Sequence, residues 1–314
     1  LTEFIEYLVT NQNKSLNIII FPEAVCLETL GVYKLIDMFN FDQVTIHTHN
    51  QFEKNSKYNI VFQSNQWLKK QEIVDLELHT WNFKKKFFCF YHRPTASRLG
   101  LAGYLFTNYK ESSLIHFSAD LDADNLVQFE LDKLLSYQNK SIKDAGALIN
   151  SLPMLLASPD RYTYNEGYYF DDPLTNFYQD ILVDVVVESH VLGNTFFPTE
   201  KTTRPMWLKK PFIIFGSKNY LDYLHQMGFR TFSDFWDEDY DGHEGKERFI
   251  RIVKLLDQLA NKSNSELEQM YLDMTYTLDH NYNLLNIQND SCFPAFLRSP
   301  NFKHMESYCF DIHR

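Results

Sequence analysis

Cysteine is scarce and forms no pattern. The chain of 314 residues has four, Cys26, Cys89, Cys292 and Cys309, widely spaced and with no CxxC pair. That excludes a zinc ribbon or a disulfide scaffold and reads as reduced thiols in a cytoplasmic protein. Only Cys292 and Cys309, both near the C-terminus, form a pair that oxidation could join. Long apolar runs are missing as well. No stretch approaches the ~20 residues of a membrane helix, and the longest candidates, Ile181 to Val187 and Phe212 to Phe215, are strand-sized. A signal peptide is not legible: LTEFIEYLVTNQNKS carries acids where Lys or Arg would stand, and no cleavage pattern follows. Basic charge is in deficit. Lys plus Arg is 30 against 41 for Asp plus Glu, a net charge of −11. The global field that steers proteins to nucleic acid is therefore absent, and DNA is disfavoured as a partner. Glycine fingerprints are missing too. There is no GxxxxGK[ST] and no GxGxxG after the first strand, which speaks against a P-loop NTPase and a dehydrogenase. No internal repeat or low-complexity tract is present.

What remains is an ordinary globular composition, 44% hydrophobic and 23% charged, long enough for about two domains at ~150 residues each. Short apolar runs alternate with helical periodicity. Asn17 to Phe21 reads as a buried parallel strand. A helix with Leu27, Leu30, Leu35, Ile36 and Phe39 on its apolar face follows, then strands at Gln43 to His47 and Asn59 to Gln63. Strand, helix and strand at this spacing make a βαβ unit with a right-handed crossover.

A lysine run, Lys84 to Lys86, precedes the very apolar strand Phe87 to Tyr91. A helix from Ala96 to Phe106, a strand from Leu114 to Phe117 and a helix from Asp124 to Tyr137 follow, so a second α/β unit starts afresh near residue 80. Residues 158 to 180 read as a long loop with one short helix. Val183 to Val187 is a central strand, Pro198 to Leu208 a helix, Phe212 to Phe215 a strand, and Asn219 to Met227 a helix ending at Gly228. Two long amphipathic helices close the pattern. The fold class expected is α/β, with two Rossmann-like domains facing a cleft and C-terminal helices. The boundaries expected are 1–80, 81–262 and 263–314.

Two stretches could carry chemistry. In the first, a buried strand ends in Glu188, a polar loop follows, and Thr199 stands before Glu200, Lys201 and a helix. Thr199 is a good N-cap, and the free N–H groups of a helix start favour an anion. Lys201 adds a point charge suited to a phosphate, and Glu200 could accept hydrogen bonds from a ribose diol. The bland alternative is a capped helix with a solvated first turn. In the second stretch, Arg93 and Arg98 flank the turn from a strand into a helix and could clamp a diphosphate; the alternative is surface charge.

The run TEKTTRPMWLKKPFIIFGSKNYLDYLHQMGFRTFSDFWDEDYD, with FFCFYHRPTASRLGLAGYLF before it, resembles the donor domain of a group of glycosyltransferases of bacteria and large phages. The Glu-Lys pair also resembles that of the α-1,3-fucosyltransferases, which have the two-Rossmann GT-B architecture. The resemblance covers roughly residues 85 to 260. It implies that Glu200 holds the donor ribose and Lys201 the diphosphate, that Arg93 or Arg98 contacts phosphate, that Glu188 faces the sugar or the cleft, and that Arg204 adds to the anion site. It implies a nucleotide-sugar donor, a glycan or small-molecule hydroxyl acceptor, and no bound metal or other cofactor. An inverting transfer also needs a base on the N-terminal side; Glu23, directly after the first strand, is the candidate, with Glu28, Asp75 and Glu77 as competitors. Rival readings are a phage enzyme that glycosylates bases in DNA, served by Lys84 to Lys86; a non-catalytic scaffold of the same fold; and another α/β nucleotide-using enzyme, such as a sugar-phosphate epimerase. As metal ligands, Asp120, Asp122 and Asp124 read better as a helix N-cap cluster, Asp171 and Asp172 as a turn, and His47 with His49 lacks a third ligand.

Overall fold

The structure is a computed structural model that describes residues 2–20, 24–50, 52–62, 81–82, 84–118, 124–136, 139–156 and 177–291. It is α/β, with two parallel sheets among these residues, one of three strands and one of four. The chain divides into two compact units: residues 1–67, 192–197 and 291–314 form one, and residues 68–191 and 198–290 the other.

In the first unit, α1 (Thr2–Thr10) leads into β1 (Ser15–Ile20), α2 (Val32–Ile36), β2 (Gln43–Thr48) and β3 (Asn59–Phe62). The strands pair in the order β1-β2-β3, all parallel. The core gathers Leu16, Ile18, Val44 and Ile46 from the sheet with Leu8, Leu27, Tyr33 and Ile36 from the helical side. The second element is shorter than its apolar periodicity predicts. Gly31 takes φ of 73°, a left-handed conformation open to glycine at little cost, so residues 27–31 turn and the helix begins only at Val32.

The second unit runs β4 (Phe87–Tyr91), α3 (Ala96–Tyr109), β5 (Ser113–Phe117), α4 (Asp124–Leu135), α5 (Asn139–Ile149), β6 (Val183–Val187), α6 (Glu200–Trp207), β7 (Phe212–Phe215), α7 (Tyr220–Gln226), α8 (Gly245–Ala260), α9 (Asn264–Asp273) and α10 (Thr275–Ser291). Every residue of β4, β6 and β7 is buried, as expected of parallel strands covered on both faces. The sheet order is β5-β4-β6-β7. The chain thus leaves β4 toward one side and β6 toward the other, which puts the topological switch point between these two strands.

Gly103 lets α3 and α5 touch: a Cβ there would lie 2.7 Å from the Ala145 backbone nitrogen. The C-terminal helices fasten within this unit. Asn281 exchanges hydrogen bonds with the Arg230 backbone at 2.8 and 2.9 Å, and Lys209 pairs with Asp279 at 2.8 Å. The lysine run is occupied too. Lys84 pairs with Asp180, Lys85 donates to the Glu111 carbonyl, and Lys86 donates to the carbonyls of Ala260 and Lys262 at the end of α8. Among the described residues, no helix is long and apolar enough to cross a membrane.

Candidate functional site

Strands β4 and β6 pair only through Phe87 with Val183 and Phe88 with Asp184. By contrast β4 pairs with β5 along its whole length, and β6 with β7 from Asp184 onward. The two central strands therefore part toward their carboxyl ends, at the switch point, where open α/β sheets bind ligands. The Tyr91 hydroxyl spans the opening to the Val185 carbonyl at 2.7 Å.

Arg98 spans it further out. It sits in the first turn of α3, whose N-cap Thr95 accepts from the Arg98 N–H. Its guanidinium donates to the Arg93 carbonyl after β4 at 3.4 Å and to the Val187 carbonyl at the end of β6 at 3.3 Å. The residue is 4% exposed, and its Nε has no hydrogen-bond partner. Burial lowers the Arg98 pKa, with Tyr91, Glu188 and Glu200 pulling the other way. Arg93 is exposed beside it.

Two other buried arginines of this unit are treated differently. Arg204, on α6, pairs with Asp184 of β6 at 3.1 Å and donates from Nε to Tyr178, whose hydroxyl in turn donates to Asp184. The rings of Phe88 and Phe90 flank it at 5.7 and 5.1 Å. Burial works against the Arg204 charge, but Tyr178 and Asp184 more than restore it. Arg248 pairs with Asp241 at 2.5 Å and donates to the carbonyls of Ser217, His243 and Ile214, which ties down the turn after β7. Arg204, expected to add to an anion site, thus already has its carboxylate.

The start of α6 is built from β6. The Glu188 carboxylate accepts from the Thr199 N–H at 3.0 Å, the Thr199 hydroxyl at 2.7 Å, the Thr202 hydroxyl at 2.5 Å and the Tyr220 hydroxyl at 3.2 Å. It is 2% exposed. Where the resemblance has Glu188 facing the sugar or the cleft, the carboxylate is surrounded by donors that anchor the helix. Thr199 is the N-cap, accepting from the Lys201 N–H, as its position before the helix predicts. Lys201 Nζ lies 2.7 Å from the Glu200 carboxylate and 3.1 Å from the Thr199 hydroxyl. Burial pushes the Glu200 pKa up, yet Lys201 prevails and the carboxyl stays below its usual range. This first turn is half-buried and paired, not freely solvated.

His92 completes the strand end. Its Nδ1 meets the Ser118 hydroxyl just past β5, and its ring stands edge-on to Phe90 at 5.0 Å. Burial first, then Arg98, Arg204 and Lys201, push its pKa down to about 4, with Glu200 opposing. Sequence reasoning passed over His92, Ser118, Asp184 and Tyr220. Asp184 carried a usable signal, a carboxylate inside the apolar run VDVVV.

Glu23 lies outside the described residues, as do Asp75, Glu77, Asp120, Asp122, Asp171, Asp172, Cys292 and Cys309. Glu28 is exposed, and Cys26 and Cys89 are free thiols in the interior. Among the described residues, no three or more His, Cys, Asp or Glu side chains gather as a metal centre would. No protein-family model matches the chain, and no curated protein matches it in sequence.

Proposed function

We propose that the chain is a glycosyltransferase that binds the diphosphate of a nucleotide sugar at the switch point of the second unit and passes the sugar to a hydroxyl acceptor, a glycan or small molecule. One observation carries the reading. Among the described residues, the buried Arg98 guanidinium hydrogen-bonds to carbonyls beside the open strand ends and makes no ion pair, while Arg204 and Arg248 each have an aspartate. A buried charge without an ion-pair partner is costly, and a bound anion removes that cost. Lys201 and the positive end of the α6 dipole stand on the β6 side of the same opening, which suits a diphosphate. Glu200 is ionised and would accept from the ribose diol, releasing Lys201 to the phosphates. Developing charge on the leaving nucleoside diphosphate is then met by Arg98, Lys201 and the helix dipole, in a metal-independent transfer.

The same reading makes the arrangement GT-B-like, with the first unit as the acceptor side and Glu23 as the candidate base. Its resemblance to the α-1,3-fucosyltransferases is in the Glu-Lys pair, and the strand, Arg, Pro and Arg opening resembles that of the bacterial and large-phage glycosyltransferases. The lysine run that would serve duplex DNA is engaged with Asp180 and backbone carbonyls, which favours a glycan or small-molecule acceptor.

Calorimetric titration of UDP, GDP, CDP and ADP into wild type, Lys201→Ala and Glu200→Gln tests the site. At least one nucleotide should bind. Lys201→Ala should weaken it by about 10- to 150-fold, the equivalent of ~1.5–3 kcal/mol for a charge-assisted contact. Both variants should melt as wild type does. No binding, or equal affinities in all three proteins, would remove the donor site from α6. Turnover of a nucleotide sugar without an acceptor would favour an epimerase.

A further inference from the structure

His92 stands at the end of β4, one residue before Arg93, so it shares the strand end with the diphosphate site. Charged and titratable groups face it from three elements. Arg98 comes from α3; Lys201, Arg204 and Glu200 come from α6; His116, with its ring 5.7 Å away, comes from β5. Three cations outweigh one carboxylate. Ser118 holds Nδ1, and Phe90 fixes the ring plane. The Ser118 hydroxyl can accept as well as donate, so the partner that an Nδ1 proton needs is already in place.

Resting on the donor-site reading, we propose that His92 is the pH-responsive wall of the diphosphate site and takes up a proton from solvent when the diphosphate binds. Burial does most to keep the imidazole neutral, and of the cations that add to it Arg98 and Lys201 are those that would clamp the phosphates. A bound diphosphate brings negative charge into the same space and reverses the field at the ring. An opposite charge within ~4–6 Å favours the charged form by roughly 1–3 pKa units. Starting from about 4, His92 then titrates between about 5 and 7 in the complex. The arginines cannot follow, because guanidinium does not titrate in this range. Diphosphate is thus held more tightly in mild acid and released more readily as pH rises.

The test uses the full chain at pH 5.5. UDP, GDP, CDP and ADP are titrated in MES and in acetate, buffers of different ionisation enthalpy, so that the difference in heat counts protons. The wild type should take up about 0.2–0.9 proton more per nucleotide bound than His92→Gln, following from that shift. His92→Gln should still bind, with no uptake to offset the protons that the clamped nucleotide releases. Ser118→Ala, which removes the acceptor for the Nδ1 proton, should take up less, and serves as the second variant if His92→Gln does not fold. A nucleotide clamped by cations would by itself release protons, so net uptake points to the protein. Equal proton exchange in wild type and His92→Gln overturns the proposal while the donor site stands. No nucleotide binding in wild type overturns the donor-site reading and this inference with it.

Discussion

The carboxyl edges of the two sheets are finished in opposite ways. In the first unit the edge is closed by the protein's own chain. Asn50, just past β2, donates to the Asn194 carbonyl at 2.8 Å, and the Thr195 hydroxyl donates to the Ala24 carbonyl. Phe196 packs against Phe52, and Gly193, at φ of 75°, fits where a Cβ would lie 2.9 Å from the Cys26 sulfur. Glu53 accepts from the Leu27 N–H, the Tyr33 hydroxyl and Asn50. Neutral donors meet carbonyls and the Glu53 carboxylate there. In the second unit, among the described residues, the edge keeps a buried guanidinium with no ion-paired carboxylate, a Glu-Lys pair and an imidazole whose pKa is pushed down. Both edges have parallel strands and polar ends. Topology names where a ligand can go; the charge left unmatched names where one is wanted.

The largest effect should come from breaking a matched charge. Arg204→Ala leaves Asp184 buried without its counter-ion between Tyr178 and the aromatic rings. Such a loss costs ~3–5 kcal/mol, read as a lower denaturant midpoint at unchanged slope. A cost below about 1 kcal/mol would place Arg204 in the same class as Arg98 and dissolve the contrast.

The next effect concerns a buried cation that can escape its charge. Lys210 lies at the amino end of β7, 1% exposed, with its Nζ 4.8 Å from the centre of the Tyr271 ring. Burial pulls its pKa down to about 7, with Asp180 opposing. The unfolded chain, near 10.4, binds more protons than the folded chain between these values. Stability therefore rises with pH from about 7 to about 10, and the Lys210 contribution to that rise is about 2–4 kcal/mol. Lys210→Met should be more stable than wild type at pH 7, and the gap should shrink toward pH 10. A gap that stays constant with pH would show that Lys210 keeps its proton throughout. Arg98 has no such exit, which is why its burial asks for an anion.

Strands were legible in the sequence because parallel strands buried on both faces are apolar runs, and the N-cap at Thr199 was legible because capping is local. The division of charge was not. Arg204 lies three residues beyond Lys201, and helical spacing alone puts it near the same ligand. Its partner Asp184 sits on another strand and is met only through the fold. The donors around Glu188 were hidden for the same reason: a carboxylate at a strand end looks open until Thr202 and Tyr220, from two later helices, close on it. Helix α5 escaped notice because its buried positions are small or few, Ala145 and Leu148 among them.

The third effect separates affinity from stability. Arg98→Met removes a buried charge and keeps the bulk, so stability should hold or rise slightly, since replacing an uncompensated ion by an apolar group is often favourable. Nucleoside diphosphate affinity should fall about 10- to 150-fold, the equivalent of ~1.5–3 kcal/mol for hydrogen bonds to a charged group. Loss of stability with unchanged affinity would make Arg98 a strand-end fastener like Arg248.

The smallest effect tests the closed edge. Thr195→Val preserves shape and removes one hydroxyl that donates to the Ala24 carbonyl. A neutral hydrogen bond in a buried setting contributes about 1 kcal/mol, and that is the stability loss expected. The start of α6 is held separately, by the bonds from Thr199 and Thr202 to Glu188. Nucleotide affinity should therefore stay within about twofold, well under the tenfold that 1.4 kcal/mol represents. Thermal melting and a nucleotide titration on the same preparation read both quantities. If affinity falls as far as it does in Arg98→Met, the 192–197 segment governs the helix that follows it, and the two edges are not independent.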